Sequence, residues 1–276
     1  MEIHRRHRYL LISLVGLFGV TLFTLIGLFM AADIVRWSWP EMVPGSCIAY
    51  VPDEPEVILS DGEAIEPTGA TGTIYLTFDD GPGEYTAKLL DILRQYRVKA
   101  TFFVTSAGDD ELIGREYQDG HAIGLHTASH NYAYIYSNVD NFMADLDRVA
   151  ERVKSITGQE TRLMRFPGGS SNTVSRRYDH GARIMSELTQ LVEERGYTYF
   201  DWNVASGDTD GLKSAEAVAE RVINALKPGD NVVLQHDVKE YSVAAVPQII
   251  EYGYKNGYTF RALDVQSFAA HHGVNN

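Results

Sequence analysis

From Gly72 onward, short apolar runs alternate with longer segments in which apolar residues recur every three or four positions. Short runs of this kind are typical of buried strands, and the longer pattern is typical of amphipathic helices. The predicted strands lie at residues 73–76, 100–104, 122–125, 163–166, 197–202, 232–234 and 258–260. The predicted helices lie between them, at residues 86–95, 112–117, 139–156, 184–195, 215–226 and 243–252.

This regular alternation of strands and helices predicts an α/β fold with a parallel sheet. About seven such units in one chain favour a distorted (β/α) barrel. An open, doubly wound sheet is the alternative. The chain has no glycine-rich phosphate loop after its first predicted strand, which argues against a nucleotide-binding form of that alternative.

The N-terminal region has a different pattern. Residues 1–8 include three arginines, and residues 9–32 contain no charged side chain. A bilayer is crossed by about 20 apolar residues, and basic flanking segments stay on the cytoplasmic side. The sequence therefore predicts a cytoplasmic segment, one transmembrane helix at residues 9–32 and an extracytoplasmic remainder, with Trp37 and Trp39 at the outer interface of the cell membrane.

A cleaved signal peptide is the competing interpretation of this region. The apolar core of a signal peptide is usually shorter, and small residues precede its cleavage point. Phe29 and Met30 stand where those small residues would be needed. The sequence therefore favours an uncleaved anchor.

The next segment, residues 33–71, has the composition of a linker. It contains five prolines with acidic residues between them, which disfavours a packed core. The apolar run at residues 57–59 could add a minor strand. The predicted globular domain then spans residues 72–268, and residues 269–276 form a tail that we expect to be disordered.

Charge and cysteine content narrow the possible partners and covalent links. The net charge of −13 argues against nucleic acid as a partner. Cys47 is the only cysteine, so an intramolecular disulfide is excluded.

Residues with metal or proton chemistry follow most of the predicted strands. In α/β barrels the carboxyl ends of the strands carry the active site. The residues at these ends are Asp79 and Asp80 after the first strand, His126 and His130 after the third, Arg165 after the fourth, Asp201 and Asp208 after the fifth, and His236 after the sixth.

His126 and His130 lie four residues apart, a spacing that offers two imidazoles on one side of a helical turn. With Asp80 they would form a site of two histidines and one carboxylate that leaves a position for water, as a catalytic zinc site requires. The alternative is that the histidines are ordinary surface or core residues and that Asp79 and Asp80 form a polar turn. Their common location at one edge of the sheet favours the metal site.

Five ordered motifs give the chain a resemblance to the NodB-homology polysaccharide deacetylases, carbohydrate esterase family 4. The motifs are TFDDGP at residues 77–82, HTASH at 126–130, RFPGG at 165–169, DWNVASGD at 201–208 and LQH at 234–236. The first two match the family pattern fully. The third replaces the usual R-P-P-Y-G, and the fourth matches loosely. The resemblance covers about residues 72–268, and it implies the same barrel-like fold.

The resemblance implies a role for each matching catalytic residue. Asp79 would be the base that takes a proton from water, with Arg165 orienting it and favouring its ionised form. His236 would be the acid that protonates the leaving nitrogen. Asp208 would tune either Arg165 or His236.

The resemblance also implies one divalent metal ion, with zinc favoured and cobalt or nickel as alternatives. Asp80, His126 and His130 would be its ligands.

The substrate pocket departs from the family pattern. Trp202 and Leu234 would line the pocket for the acetyl methyl group, and the backbone N–H of residue 168 would help to hold the oxyanion. Residue 168 is a glycine where the family usually has tyrosine, so the N–H remains but the side-chain wall is lost. We expect this change to affect substrate fit more than chemistry.

The implied function is hydrolysis of N-acetyl groups from peptidoglycan, at N-acetylglucosamine or N-acetylmuramic acid, by an enzyme held near the wall by its anchor. Two alternatives are O-acetyl ester hydrolysis on a polysaccharide and a catalytically silent glycan-binding protein. No serine lies in a G-x-S-x-G elbow, which argues against a serine hydrolase. We expect His121 to be structural, the loop at 179–180 to be solvated, and the loop at 170–172 to be available to the glycan.

Overall fold

The computed structural model describes residues 57–65 and 68–274. The predicted cytoplasmic segment, the predicted membrane anchor and most of the predicted linker lie outside these residues. No helix within the two described ranges is long and apolar enough to cross a membrane.

The described residues form ten short strands and seven α-helices. The strands are β1 (Val57–Ile58), β2 (Ala64–Ile65), β3 (Gly72–Asp79), β4 (Thr101–Val104), β5 (Ala122–Leu125), β6 (Leu163–Met164), β7 (Thr198–Tyr199), β8 (Val204–Ala205), β9 (Gly229–His236) and β10 (Tyr258–Phe260). The helices are α1 (Thr86–Gln95), α2 (Asp110–Gln118), α3 (Tyr132–Ile135), α4 (Val139–Thr157), α5 (Ile184–Glu194), α6 (Ala215–Ala225) and α7 (Glu240–Lys255).

The main sheet is parallel and curls into a half-barrel. Its strands lie in the order β7-β6-β5-β4-β3-β9-β8, and β10 pairs with the first residues of β3. The parallel α/β prediction is confirmed. The sheet stays open, however, since β7 and β8 at its two ends do not pair with each other in the described chain.

Alternation along the central strand β3 separates the core from the site. Successive side chains of a strand point to opposite faces of the sheet. Ile74, Leu76 and Phe78 face the helices and belong to the main hydrophobic core. Tyr75 belongs to a second, smaller cluster on the other, concave face. Asp79 has the same parity as Tyr75, so the strand ends with this carboxylate on the concave face.

Helix α4 shows how closely a long periodic segment can be predicted. The side chain of Asn138 accepts a hydrogen bond from the third residue beyond it and caps the helix N-terminus. Gly158 adopts a left-handed conformation with φ of 72° and ends the helix. The middle of its apolar face, at Phe142, Leu146 and Val149, is fully buried. The predicted range of 139–156 is confirmed to within one residue.

A hairpin of β1 and β2 joins the globular domain before the predicted boundary at residue 72. Val57 and Leu59 are buried in the main core. The Lys255 ammonium lies 2.6 Å from the Asp61 carboxylate, which ties the turn of the hairpin to α7. The minor strand expected at residues 57–59 is confirmed as β1. Residues 57–65 therefore belong to the folded domain, although the sequence assigned them to the linker.

The segment after residue 268 is also folded, contrary to the prediction of a disordered tail. The N–H of Asp201 donates to the carbonyl of Ala270 at 2.8 Å, and the N–H of His272 donates to the Asp201 carboxylate at 2.8 Å. The ring of His271 stacks on Tyr199 with a centroid distance of 3.9 Å. The segment thus covers the edge of the sheet beside β7. The sequence pattern does not show which edge of the sheet is open, so this packing could not be predicted from it.

Candidate active site

The structure brings together the polar residues that follow the strands. Asp79 ends β3, His236 ends β9, and the two residues are paired in the sheet. His126 follows β5 directly, and its N–H continues the ladder by donating to Val104 at 2.9 Å. Arg165 follows β6, and its N–H donates to Leu125 at 2.9 Å. Parallel strands thus deliver these side chains to one end of the sheet.

Asp80, His126 and His130 form a cluster whose possible ligand atoms lie within 4.8 Å of one another. Asp80 Oδ1 lies 3.2 Å from His130 Nε2 and 3.5 Å from His126 Nε2. This oxygen is buried, and no residue in the described part of the chain donates a hydrogen bond to it. A buried carboxylate oxygen without a donor is unfavourable, and a cation held by nitrogen and oxygen ligands would satisfy it. The three residues therefore fit a divalent metal ion.

Hydrogen bonding prepares His126 as a ligand. Its Nδ1 lies 2.9 Å from the backbone carbonyl oxygen of Arg165. A carbonyl can only accept, so Nδ1 carries the hydrogen and Nε2 presents its lone pair toward Asp80. Burial lowers the pKa of His126 to about 3, which keeps the imidazole neutral at physiological pH.

The loop that carries the two histidines is held by Asp145 of helix α4. The Asp145 carboxylate accepts from the N–H of Ser129 at 2.7 Å and from its hydroxyl at 3.0 Å. The Asp145 side chain is fully buried. Sequence reasoning missed this residue, and the available signal was a carboxylate among the buried apolar positions of the helix.

Three residues of the site adopt left-handed backbone conformations that L-residues rarely use. The φ angles are 72° at Asp80, 60° at Thr127 and 49° at His130. Such conformations cost free energy and persist where the surroundings enforce them, often at functional sites. The hydrogen bonds from Asp145 supply part of that constraint at the histidine loop.

Arg165 is fully buried and all of its side-chain hydrogen bonds go to groups around the concave face. Its Nη1 donates at 2.7 Å to Asp79 Oδ1 and at 2.7 Å to the hydroxyl of Thr77. Nε and Nη2 each donate at 2.9 Å to backbone carbonyls, those of Phe200 and Asp201. The guanidinium is thereby fixed, and it fixes one oxygen of Asp79.

Two opposing effects act on the pKa of Asp79. Burial of the carboxyl raises its pKa, and the adjacent charge of Arg165 lowers it. Burial is the larger effect, and the pKa lies above its usual range. Arg165 therefore favours the carboxylate, as expected, but the effect of burial on the pKa of Asp79 is larger.

Of the two partners that the resemblance implies for Asp208, the structure places His236 in contact with it. Asp208 Oδ1 lies 3.0 Å from His236 Nδ1, and Asp208 Oδ2 accepts from the His236 N–H at 2.8 Å. Burial by itself lowers the pKa of His236, but the hydrogen bond and charge of Asp208 outweigh it and leave the pKa raised. No hydrogen bond or ion pair joins Asp208 to Arg165 in the described structure.

The predicted pocket residues lie around the same end of the sheet. Leu234 is two positions before His236 on β9 and so shares its face. The Trp202 ring centroid lies 5.8 Å from the Arg165 guanidinium carbon. Gly168 has φ of 77° in the loop after β6. Their contacts with substrate stay predictions.

The loop that was expected to be available to glycan is largely turned inward. Ser170 is fully buried, and its N–H donates to the Asp201 carboxylate at 2.8 Å. The side-chain amide of Asn172 donates to the Gly169 carbonyl at 2.9 Å. These side chains complete the hydrogen bonding of the loop, so the expectation is wrong for Ser170 and Asn172.

The structure agrees with the structural role expected for His121 but not with the solvated loop expected at residues 179–180. His121 Nδ1 accepts from the Ala100 N–H at 3.1 Å, and burial lowers the pKa of His121 to about 4, in accord with a structural role. Asp179 is buried and accepts from the N–H of Gly181 at 2.9 Å. It therefore organises the turn before α5 instead of lying in a solvated loop.

The polysaccharide deacetylase family model matches residues 66–184. Over 202 residues the chain is 37% identical to a peptidoglycan-N-acetylglucosamine deacetylase of Bacillus cereus, with 70% of each chain covered. Over 200 residues it is 34% identical to the peptidoglycan-N-acetylmuramic acid deacetylase PdaA of Bacillus subtilis, again with 70% of each chain covered.

A solved structure shows the same similarity in three dimensions. The catalytic domain of peptidoglycan N-acetylglucosamine deacetylase from Eubacterium rectale superimposes with a TM-score of 0.71 at 48% identity. The match covers 74% of this chain and 94% of that domain. From its motifs, its sequence relatives and its fold, the chain belongs to the NodB-homology polysaccharide deacetylases, carbohydrate esterase family 4, a family of hydrolases.

Proposed function

We propose that this enzyme removes N-acetyl groups from peptidoglycan in a metal-dependent hydrolysis that releases acetate. The observation that carries the proposal is that two proton-transfer groups, Asp79 and His236, lie beside the histidine and aspartate cluster. Asp79 Oδ2 lies 3.7 Å from His126 Nε2, and His236 Nε2 lies 3.8 Å from Asp80 Oδ2. A proton acceptor and a proton donor thus lie within 3.8 Å of residues that fit a metal.

Asp80, His126 and His130 would hold the ion, and zinc is favoured because its catalytic sites combine three protein ligands with one open position. When bound, the ion would lower the pKa of water from ~15.7 to about 7 and polarise the acetyl carbonyl. The neutral form of His126 and the unpaired oxygen of Asp80 support this assignment.

Asp79 acts as the general base in this proposal. Arg165 holds Asp79 Oδ1 at 2.7 Å, which leaves Oδ2 to face the His126 side of the site. Oδ2 takes the proton of the attacking water as the C–O bond to the acetyl carbon forms. Burial raises the pKa of Asp79, which makes the carboxylate a stronger base than an exposed aspartate.

His236 acts as the general acid. Asp208 holds Nδ1, so Nε2 is the nitrogen that faces the site and donates the proton. The sugar nitrogen receives this proton as its bond to the acetyl carbon breaks, because an unprotonated amine is a poor leaving group. Asp208 raises the pKa of His236, which favours the protonated form that the general acid requires.

The proposed sugar is N-acetylglucosamine of peptidoglycan. The support is that one relative at 37% identity and one structural neighbour at 48% identity are both named as deacetylases of that sugar in peptidoglycan. A relative at 34% identity is named for N-acetylmuramic acid, so both sugars belong in the test.

The test measures acetate released by the full chain, with zinc, from peptidoglycan and from N-acetylglucosamine oligomers. The Asp79→Asn variant is the control, and it should retain metal and lose turnover. Release by the wild type that disappears in the variant supports the proposal. No release from either glycan by the metal-bound wild type contradicts it.

O-acetyl ester hydrolysis is measured in the same assay with an acetylated xylan. An alkoxide leaves more easily than an amine, so ester hydrolysis should depend less on proton donation. Ester activity that survives His236→Ala, without amide activity in the wild type, would replace N-deacetylation by the ester reaction.

We propose further, from the sequence alone, that residues 9–32 anchor the enzyme in the cell membrane with its catalytic domain outside. Fractionation of cells that express the full chain or residues 33–276 tests this proposal. The full chain should sediment with membranes and the shortened chain should not. Equal distribution of the two would contradict the anchor.

A further inference from the structure

Gly168 lies against Tyr132 and Asn172, so a side chain at position 168 would require Tyr132 to shift. A Cβ atom added at Gly168 would lie 2.9 Å from the hydroxyl oxygen of Tyr132 and 3.4 Å from its ring. The positive φ of 77° also disfavours other residues at this position. The place that the third motif usually gives to its own tyrosine is thus occupied from a different segment of the chain.

Tyr132 is held beside the candidate metal ligands. It is the first residue of α3, whose N-terminus is capped by the Asn131 side chain. Its ring packs edge-on against His130 at a centroid distance of 5.3 Å and against Tyr136 at 5.6 Å. The ring is therefore fixed on both sides.

The hydroxyl of Tyr132 has no hydrogen-bond partner among the described residues, although the side chain is half-buried. The nearby Tyr136 differs, since its hydroxyl donates to the Pro167 carbonyl at 2.7 Å and is fully buried. One tyrosine thus supports the loop of the third motif, and the other keeps a free hydroxyl next to it.

The hydroxyl of Tyr132 is placed to donate to a ligand at the site. A protonated phenol beside the site can donate to an oxygen of a sugar. No described residue accepts this hydrogen bond and the hydroxyl oxygen is not sealed from solvent, so a sugar oxygen can take the place of water there.

We propose that Tyr132 is a substrate-binding residue whose hydroxyl donates a hydrogen bond to an oxygen of the sugar that carries the reacting acetamido group. Its ring forms the pocket wall that Gly168 does not supply. The proposal rests on the proposed function, because it assumes a glycan with an acetamido group at the same site. A hydrogen bond to a sugar oxygen that does not change during reaction contributes equally to ground-state and transition-state binding.

The test uses the full chain with Tyr132→Phe, which removes only the hydroxyl, and Tyr134→Phe as the matched control. Tyr134 lies on the same helix and is exposed. Binding of an N-acetylglucosamine tetramer is measured by calorimetry on the zinc-loaded Asp79→Asn protein, with and without each substitution. Tyr132→Phe should weaken binding about 3- to 10-fold, as expected for one hydrogen bond between neutral groups. Tyr134→Phe should leave the affinity unchanged.

Kinetics and metal content separate this role from others. In the otherwise wild-type chain, Tyr132→Phe should raise KM by a similar factor and leave kcat and bound zinc unchanged. Unchanged tetramer affinity, loss of zinc, or a fall in kcat at constant KM would each overturn the proposal. The second of these would show support of His130, and the third would show an interaction made only in the transition state.

The contact with Gly168 gives a second test. Gly168→Ala places a methyl group against the Tyr132 hydroxyl and should weaken tetramer binding. The same substitution should cost less in the Tyr132→Phe background, since the hydroxyl is then absent. If Gly168→Ala weakens tetramer binding equally in the two backgrounds, position 168 does not act through the Tyr132 hydroxyl.

The outcomes also distinguish this inference from the proposed function. Acetate release by the wild type, with unchanged affinity in Tyr132→Phe, removes the inference alone. Weaker tetramer binding in Tyr132→Phe, without any acetate release by the wild type, keeps Tyr132 as a glycan contact and removes the proposed reaction.

Discussion

Asp208 accepts hydrogen bonds from both the side chain and the backbone of His236. Its Oδ1 lies 3.0 Å from Nδ1, and its Oδ2 lies 2.8 Å from the backbone nitrogen. Both groups are largely buried, so the pair is shielded from solvent. The carboxylate thus selects the ring orientation in which Nε2 faces the site, and it favours the protonated imidazole.

Asp208→Asn should move the alkaline limb of the pH–activity profile to lower pH. The reaction needs protonated His236, so activity falls as pH rises through the pKa of that residue. Asp208 raises this pKa, and its neutral replacement should lower it. We expect kcat near neutral pH to fall by about 10²-fold or more, within the range for loss of general-acid catalysis. The measurement is kcat and kcat/KM for acetate release between about pH 5 and pH 10, a range that includes the titration of histidine.

Asp210→Asn is the control for the change of charge. Asp210 lies two residues further along the same loop, with its side chain 59% exposed. Its substitution should leave the profile in place. An alkaline limb that moves equally in the two variants would show a general effect of charge on the loop and not the pairing with His236.

Arg165→Met should destabilise the fold, because it leaves the Asp79 charge buried without a partner. Loss of one member of a buried ion pair typically costs about 3–5 kcal/mol. The Arg165 and Asp79 side chains are 0% and 3% exposed, so solvent cannot replace the guanidinium. Denaturant unfolding of the metal-free variants measures the effect.

The double variant Arg165→Met, Asp79→Asn separates the charge from the packing of Arg165. Removal of the carboxylate charge should restore part of the lost free energy of unfolding. If the double variant is as unstable as the sum of the single variants, the arginine stabilises the fold through its other hydrogen bonds and its contact with Phe103, whose ring centroid lies 4.3 Å away.

The sequence predicts the local elements well where one pattern dominates. Helix α1 and strand β10 are found at the predicted residues, and α4 differs by one residue. These segments have a sustained period and clear ends. The candidate ligands are equally visible, since TFDDGP and HTASH keep them close together along the chain.

Contacts between distant segments are what the pattern does not contain. The hairpin at residues 57–65 and the segment after residue 268 pack by pairing with partners far along the chain. Prolines near the hairpin, and small and polar residues near the second segment, give both the composition of linkers. Asp145 and Tyr132 are missed for the same reason, because their roles arise from residues brought near them only by folding.

His126→Ala should abolish zinc binding and its stabilising effect. A ligand that binds only the native state raises its stability by RT ln(1 + [L]/Kd), so zinc at 100 times Kd would add about 2.7 kcal/mol. His126 is set as a ligand by the bond from Nδ1 to the Arg165 carbonyl, and alanine removes the donor nitrogen. The measurements are bound zinc by mass spectrometry and the zinc-dependent shift in Tm.

His180→Ala provides the control for removal of an imidazole. His180 is exposed in the turn before α5 and is absent from the cluster that fits a metal. It should bind zinc and gain stability as the wild type does. A wild-type zinc response in His126→Ala would contradict the assignment of the ligands.

Asp145→Asn should weaken zinc binding without removing any ligand. The Asp145 carboxylate accepts two hydrogen bonds from Ser129, the residue before His130, and an amide can accept them only with a weaker, uncharged oxygen. Groups bonded directly to metal ligands typically contribute about 10- to 100-fold to affinity; Asp145 acts through the neighbouring Ser129, so we expect a loss of about 10-fold. Competition with a chromophoric chelator measures zinc affinity. Asp147→Asn, on the same helix with its side chain 54% exposed, should leave that affinity unchanged. Equal zinc affinity in the Asp145 and Asp147 variants would show that the histidine loop keeps its geometry without the carboxylate.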